Sequence, residues 1–241
     1  MNFSHDVRQK FPERQGRFDA LETFVQQYDD RFKRRCIPAA TKPQRLIGHR
    51  AANLLLTSLS RARLLTATAI HCINGSLAPG MYLAARAHWE MTGLVAHLLT
   101  ALRRFYGGEI PEVEVEKTLK RLFMGRRWEV AEILNEDILA INALTLVGSA
   151  ATLLRHDVVE QHVRTCYDFL SEHCHPNLLG RLAGVTLSKN LQTDFDPNVT
   201  LTKDDINVFF SHGLASHGIF IYAYDECFRL LYEHEEMPTI E

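Results

Sequence analysis

The chain has 241 residues and a formal net charge of −2 at neutral pH, from 27 Lys and Arg against 29 Asp and Glu. Apolar and aromatic residues make up 46% of the chain and charged residues 23%. This composition is that of a folded protein and excludes an intrinsically disordered chain. The balanced charge gives no support for a large basic nucleic-acid groove, although a local basic site needs only a few residues.

The cysteines and the apolar segments bear on the compartment. The five cysteines are widely spaced and form no Cys-x-x-Cys pair, so neither a disulfide framework nor a zinc ribbon is indicated. The first 18 residues lack the apolar stretch of a secretory signal. The charge-free stretch 138–154 contains several Asn, Ser and Thr residues and is more typical of a buried core helix than of a membrane span. We therefore expect a cytoplasmic protein without a membrane segment.

Helical periodicity dominates the first half of the chain. Apolar residues recur at steps of three and four over 11–35 and predict an amphipathic helix, which we place at the periphery. A second helical pattern covers 44–74 and ends at an Asn-Gly-Ser turn. A third helix is predicted over 79–106, where Pro79 suits the first turn. Because this third segment is apolar nearly all round, we expect it in the middle of the fold.

Further helices are predicted in the second half. A short charged helix is expected over 112–124, an apolar helical pattern over 128–154 and another helix over 156–174. Residues 176–200 contain scattered Pro, Asn, Gly and Asp and predict a loop with one short strand around Val185–Leu187.

The start of the last helix is predicted from its N-terminal sequence. Thr202 followed three residues later by Asp205 predicts a capping box with Asp in place of the usual Glu. The aromatic stripe of this helix, from Phe209 to Leu231, is expected to lie in the core. Strand signals are otherwise almost absent, so the sequence predicts an all-α fold. We expect a single domain over 1–241, built as an up-and-down bundle of six or seven helices.

Polar residues interrupt the apolar helix 79–106 along one stripe. Arg86 and Glu90 are four residues apart and His97 is seven beyond, which places all three on the same side of a helix. Buried charges persist only when they are paired and hydrogen-bonded, because desolvation costs several kcal/mol per ion. The stripe indicates either a structural Arg86–Glu90 bridge or the lining of a small-ligand pocket.

A second polar stripe lies on helix 156–174 and includes Arg164, Tyr167, Ser171 and His175. His175 precedes a proline and is therefore expected at the helix C-terminus, where the helix dipole favours a protonated imidazole. Such an imidazole facing Glu90 makes either an acid/base pair or a structural contact.

A third candidate is the pair Arg155 and His162, which are seven residues apart and face the same way. Ribonucleases can use such a pair without a metal ion, the histidine taking the 2′-hydroxyl proton while the arginine holds the scissile phosphate. Because the chain has 12 histidines, such spacings also arise by chance. The alternative interpretation is a solvated start of a helix.

Metal binding is not indicated by the histidine spacing. His173, Cys174 and His175 are adjacent, but their side chains diverge at a helix end and no second cluster has matching spacing. His212 and His217 are five residues apart, which does not suit two ligands on one helix face. We expect no metal ion and no cofactor.

Two short segments resemble a known family. The sequences LAARAHWEMTGLVAHLL and YDFLSEHCHPN look like those of a bacterial all-helical family of unknown function with an Arg-x3-Glu helix and a later Tyr-x2-Leu-Ser-x3-His motif. These motifs fall on five residues that the helical spacing had already placed on two polar stripes: Arg86, Glu90, Tyr167, Ser171 and His175.

More distantly, the bundle is similar to HEPN-type domains, which occur as RNA-cleaving toxins and phage-defence effectors. Their signature is Arg-x4–6-His, which Arg155 and His162 fit, whereas the spacing from Arg164 to His175 is too long. The resemblance implies metal-independent RNA cleavage, with Arg155 as phosphate clamp and His162 as general base. It also implies a homodimer with a site across the two-fold axis, for which an apolar helix such as 205–233 would supply the interface.

Two other functions stay open beside the ribonuclease. One is a non-catalytic bundle that binds a partner protein, such as an antitoxin, around a structural polar core of Arg86, Glu90, Ser171 and His175. The other is a small-molecule pocket between helices 79–106 and 156–174, lined by the same side chains.

Overall fold

The structure is a computed structural model in which eight α-helices and two short strands can be described. The described residues are 1–32, 46–124, 139–153, 157–175 and 201–234, together with the backbone of 185–187 and 193–195. The helices are α1 (His5–Lys10), α2 (Gln15–Arg31), α3 (Leu46–Asn74), α4 (Ala78–Tyr106), α5 (Glu112–Met124), α6 (Ala143–Thr152), α7 (Asp157–Cys174) and α8 (Lys203–Glu233), with a 3₁₀ turn at Pro12–Arg14.

The predicted all-α class is confirmed. The helices expected at 44–74, 79–106 and 112–124 are α3, α4 and α5, with ends that differ by two residues at most. The short strand predicted at Val185–Leu187 is also present as β1. It pairs antiparallel with β2 (Thr193–Phe195) in a small hairpin.

The described helices outnumber the six or seven expected, because a separate short helix precedes the first predicted one. This helix is α1, which starts where the Ser4 hydroxyl accepts a hydrogen bond from the Val7 backbone N–H at 3.3 Å. The Arg8 guanidinium joins α1 to α2 through ion pairs to Asp19 and Glu22, both at 2.9 Å.

The N-terminal helix α2 contributes one of its faces to the core. Phe18, Leu21 and Tyr28 have no exposed surface, and Val25 retains only 3%. These residues lie at steps of three and four, so they form one face of α2. That face packs on α3 and α8.

The position of α4 agrees with its apolar sequence. It contacts α3, α5, α6, α7 and α8, which makes it the centre of the bundle. Trp89, Leu98 and Leu102 are completely buried. Because each side of α4 packs on a different helix, polar residues on different sides meet different partners.

The last helix is also placed as predicted. The Thr202 hydroxyl accepts the Asp205 N–H at 3.1 Å, and the Asp205 carboxylate accepts the Thr202 N–H at 2.9 Å, which completes the predicted capping box. Phe209, Phe220 and Tyr224 are buried within the chain. These side chains are therefore core residues of the protomer, as predicted for the aromatic stripe.

The charge-free stretch 138–154 contributes α6, a short helix that is buried on one side only. Val147 and Ala150 are buried, whereas Leu144 is 59% exposed. In the parts of the chain that the structure describes, no helix combines the length and the apolar character needed to cross a membrane.

The approach of α6 to α4 depends on a glycine. A β-carbon added at Gly93 of α4 would lie 2.4 Å from the carbonyl carbon of Leu146, much closer than any van der Waals contact. The absence of a side chain at Gly93 therefore allows the two backbones to touch.

We expect Gly93→Ala to lower the free energy of unfolding by about 1–3 kcal/mol, because the new methyl group forces α6 away from α4. The matched control is Gly218→Ala on α8, where an added β-carbon has no atom within 4 Å. This control should be neutral or stabilising by up to about 1 kcal/mol. Urea denaturation measures both, and equal effects would contradict the close contact.

Candidate functional site

Residues from the two polar stripes meet between α4 and α7. The Tyr167 hydroxyl donates a hydrogen bond to Glu90 Oε1 at 2.9 Å, and Arg86 Nε lies 3.4 Å from the same oxygen. Arg86 Nη2 is 3.5 Å from the Tyr167 oxygen, and the guanidinium carbon lies 5.7 Å from the Tyr167 ring centre. We call Arg86, Glu90 and Tyr167 the α4–α7 cluster.

The α4–α7 cluster is half-buried, and its two charged side chains both act on the Tyr167 hydroxyl. The side chains of Arg86 and Glu90 are 26% and 36% exposed, whereas Tyr167 is 4% exposed. Burial raises the pKa of the Tyr167 hydroxyl, the nearby Arg86 charge opposes this rise, and the Glu90 carboxylate adds to it. Tyr167 therefore keeps its proton at neutral pH and acts as the donor that ties α7 to α4.

The next turn of α7 extends the cluster. The Arg86 charge also acts on Cys174, whose pKa is raised mainly by burial. Because Tyr167 and Cys174 are two turns apart, Ser171 lies between them on the same face of α7. The Ser171 hydroxyl oxygen is buried and has no hydrogen-bond partner among the described residues. Such an unsatisfied group costs about 1–3 kcal/mol.

His175 does not join the cluster. It is exposed one residue beyond the C-terminus of α7, where its backbone N–H donates to the Ser171 carbonyl oxygen at 3.1 Å. The Glu90 carboxylate, considered above as its partner, accepts the Tyr167 hydroxyl instead. The expected pairing of His175 with Glu90 is therefore replaced by a tyrosine–carboxylate hydrogen bond.

The residues of the polar stripe predicted on α7 do not all face the same way. Tyr167 and the Ser171 hydroxyl face inward, whereas Arg164 is exposed and pairs with Glu160 at 3.0 Å. Residues at steps of three and four drift around a helix of 3.6 residues per turn, so only part of such a stripe can face one neighbour.

His162 is exposed on α7, and among the described residues it has one polar side-chain partner. Its Nε2 lies 3.4 Å from the Sγ of Cys166, one turn along the helix. The Cys166 thiol in turn is 4.0 Å from the Ser211 carbonyl oxygen of α8, to which it donates. Arg155, the predicted companion of His162, lies outside the described residues.

His97 lies on the same face of α4 as Arg86 and Glu90 but further along the helix, where it meets a different partner. Its Nδ1 is 2.9 Å from the Ser149 hydroxyl of α6. Burial lowers the pKa of His97, and the positive charge of Arg121 lowers it further. The single stripe of Arg86, Glu90 and His97 is thus divided between α7 and α6, and the His97 ring also lines an open groove of 330 Å³ beside α5.

The structure shows a second polar group of residues that the sequence analysis missed. His88 of α4 and His217 of α8 are 1% and 2% exposed, and their rings stack with centroids 3.9 Å apart. His88 contacts the Tyr28 hydroxyl of α2 at 2.9 Å and the Ser216 hydroxyl at 2.8 Å. His217 Nε2 lies 3.1 Å from the Thr66 hydroxyl of α3. We call these five residues the buried histidine network.

The buried histidine network is electrically neutral at neutral pH. Burial lowers the pKa of His217 to about 4 and that of His88 well below its usual 6.5, and burial raises the pKa of the Tyr28 hydroxyl. None of the five side chains has more than 2% exposed surface. The network therefore holds four helices together and offers no access to a substrate.

The described residues give little support for a reactive thiol or for a metal site. Cys72, Cys166, Cys174 and Cys227 are free thiols, and burial raises the pKa of Cys166 to about 11. Such thiols are protonated at neutral pH and poor nucleophiles. Within the same residues, no three His, Cys, Asp or Glu side chains are grouped so that they could hold a metal ion.

Comparison with known proteins identifies no family for this chain. No protein-family model matches the chain, and searches of curated proteins and of solved structures find no match. The two resemblances therefore stay predictions, and the function is argued from the side chains themselves.

We expect Tyr167→Phe to lower the free energy of unfolding by about 1–2 kcal/mol, because Glu90 loses its buried donor. The matched control is Tyr222→Phe on α8, whose ring is 42% exposed and whose hydroxyl accepts a hydrogen bond from Arg103 at 3.2 Å. Denaturant unfolding should show a smaller loss for this control. An equal loss would contradict the structural role of the Tyr167 hydroxyl.

The buried histidine network should make stability depend on pH. Because the pKa values of His88 and His217 are lower in the folded chain, the unfolded chain binds more protons once the pH falls below about 6.5. The contribution of these two histidines to the free energy of unfolding should be constant above this value and should decrease toward pH 4. The slope should reach about 1.4 kcal/mol per pH unit for each histidine.

Two variants isolate this effect. His217→Gln should remove about half of the slope between pH 6.5 and pH 4, whatever its effect on stability at neutral pH. His71→Gln, at an exposed position of α3, is the control and should keep the full slope. Denaturant unfolding across the pH range gives both slopes, and an unchanged slope in His217→Gln would contradict the neutral buried pair.

Proposed function

We propose that this chain is a HEPN-like RNA-binding protein that cleaves RNA without a metal ion, acting as a homodimer in bacterial stress or phage defence. The observation that carries the proposal is the environment of His162, an exposed imidazole whose hydrogen bonding leaves one ring nitrogen free. The α4–α7 cluster supports it, since it joins the two motifs that carry the family resemblance and sets the orientation of α7.

One ring nitrogen of His162 is engaged. Nε2 lies 3.4 Å from the Sγ of Cys166, and Nδ1 has no partner among the described residues. In the tautomer that carries its proton on Nε2, Nδ1 presents a lone pair, which is the state a general base requires.

The reaction follows from this base. Nδ1 of His162 takes the proton of an RNA 2′-hydroxyl, and the 2′-oxygen attacks the adjacent phosphorus. The bond from phosphorus to the 5′-oxygen breaks, and the leaving oxygen takes up a proton from solvent, to which the His162 imidazolium then returns the proton it took. The products are a 2′,3′-cyclic phosphate and a 5′-hydroxyl. Arg155 holds the phosphate oxygens and stabilises the charge that develops on them.

The charge of α7 limits how RNA can be held. The helix carries the carboxylates Asp157, Glu160, Asp168 and Glu172 beside its one arginine, Arg164. These charges repel an extended phosphate backbone, so the proposal assigns contact to the scissile phosphate and one neighbour. The logarithm of the binding constant should therefore fall with the logarithm of salt concentration with a slope of only about −0.7 to −1.4.

The test is cleavage of a single-stranded RNA by purified full-length protein in the presence of EDTA. We expect Arg155→Ala and His162→Ala each to lower the rate at least about 100-fold. His71→Ala, at an exposed position of α3, is the matched control and should leave the rate unchanged. Circular dichroism shows that each variant is folded.

The remaining outcomes contradict the assignment in defined ways. Loss of cleavage only in His175→Ala would place the site at the C-terminal end of α7. No cleavage by folded wild-type protein would contradict the ribonuclease. It would favour the second candidate, a non-catalytic bundle that binds a partner protein or small ligand at the α4–α7 cluster. The observation that favours this candidate is the unsatisfied hydroxyl of Ser171.

A further inference from the structure

A pocket of about 270 Å³ lies between the N-terminal part of α3 and the C-terminal half of α5. Its volume is just below the usual range for small-molecule sites, which is about 300–1,000 Å³. The described residues that line it are Arg50 and Asn53 of α3 and Leu119, Lys120 and Phe123 of α5. None of them belongs to the proposed ribonuclease site. The pocket therefore offers a separate site, of a size that suits a small ligand.

The apolar part of the pocket reaches from the core to the surface. Leu119 is only 2% exposed, whereas Phe123, one turn further along α5, is 57% exposed. Residues four apart lie on the same face of a helix, so the two side chains form one apolar strip. A ligand with an apolar body would remove part of the Phe123 ring from water, which is favourable.

Both charged residues that line the pocket are cations. Arg50 uses Nη1 for an ion pair with Glu116 of α5 at 3.1 Å, which leaves its Nε and Nη2 donors without a partner among the described residues. Lys120 is exposed and forms no ion pair or hydrogen bond with any residue in the described ranges. Two cations and one carboxylate leave a net positive charge at the pocket.

The third polar side chain of the pocket is neutral. Asn53 lies one turn from Arg50 on α3, and its Nδ2 is 3.0 Å from Nε2 of His49. The amide group has a second N–H, which can still donate to a ligand. No carboxylate is among the described residues that line the pocket. The lining therefore combines an apolar strip with uncommitted N–H donors and an excess of positive charge.

We propose that this pocket binds a small organic acid, a carboxylate with a short unbranched apolar chain. Both oxygens of a carboxylate only accept hydrogen bonds, which matches the Lys120 ammonium and the free donors of Arg50. The apolar chain lies along Leu119 and Phe123. A primary ammonium on the same chain would meet two like charges and lack an acceptor, so the pocket selects for the acid.

The experiment is an NMR titration of the full chain with sodium hexanoate at constant ionic strength. We expect saturable shifts of the Leu119 methyl and Phe123 ring signals, with a Kd of about 1–10 mM for so small a ligand. Hexylammonium, which has the same chain and the opposite charge, should give no saturable shift. Equal binding of these two probes, or no saturation with hexanoate, would overturn the proposal.

A shorter acid tests the part played by the apolar strip. Acetate has the same charged group without the chain and should bind at least about tenfold more weakly than hexanoate, because each buried methylene group stabilises the complex. If acetate binds as tightly as hexanoate, the cations attract any anion and the proposed pocket is wrong.

Paired lysine variants test the position of the site. Lys120→Gln should weaken hexanoate binding about three- to fivefold, since it removes a partly solvated ion pair. Lys203→Gln makes the same charge change at the exposed start of α8, outside the pocket, and should alter the Kd less than about twofold. Equal weakening by both variants would overturn the assignment. Unchanged hexanoate binding by His162→Ala would show that the pocket is independent of the proposed ribonuclease site, and a loss would contradict it.

Discussion

Two histidines stacked without access to solvent impose the strictest constraint on this fold. His88 and His217 lie with their ring centres 3.9 Å apart, and each is too deeply buried to carry a charge. In the neutral state each ring has one donor and one acceptor, and both need partners when water is excluded. The partners come from Tyr28, Thr66 and Ser216, so the network connects α2, α3, α4 and α8. A slip of any of these helices would leave a polar atom buried without a partner.

The rest of the α4 surface contacts other helices. Arg86 and Glu90 hold α7 through Tyr167, and Gly93, two turns from Arg86 on the same face, admits the backbone of α6. Little of α4 is free for a substrate. The proposed function therefore places its chemistry on an element that α4 positions, the outer side of α7 with His162. A rigid centre with reactive groups on its periphery suits precise placement of a base.

Helices and their ends could be predicted from the sequence, because they depend on local signals. The Thr202–Asp205 capping box, the apolar pattern of 79–106 and the turn after Asn74 each act within a few residues. Burial of the α8 aromatic stripe was predictable for the same reason, since a face with period 3.6 must be covered.

Partners of polar residues could not be predicted in the same way. The spacing predicts that Arg86, Glu90 and His97 share one face of α4. Along this face, however, Glu90 meets α7 and His97 meets α6. His88 was available in the sequence as a polar residue within an apolar helix. Its partner Tyr28 is 60 residues away on a helix that had been placed at the periphery. Such contacts depend on which helices become neighbours, and this information is not local.

The most direct test of this account is an NMR titration of the imidazole ring nitrogens of His88 and His217, assigned with His88→Gln and His217→Gln variants. The account requires both rings to show the nitrogen shifts of a neutral tautomer, unchanged from neutral pH down to about pH 5. If either ring titrates with the pKa of an exposed histidine, the pair is not the neutral, fully bonded centre described here. The arrangement of helices built around it would then have to be revised.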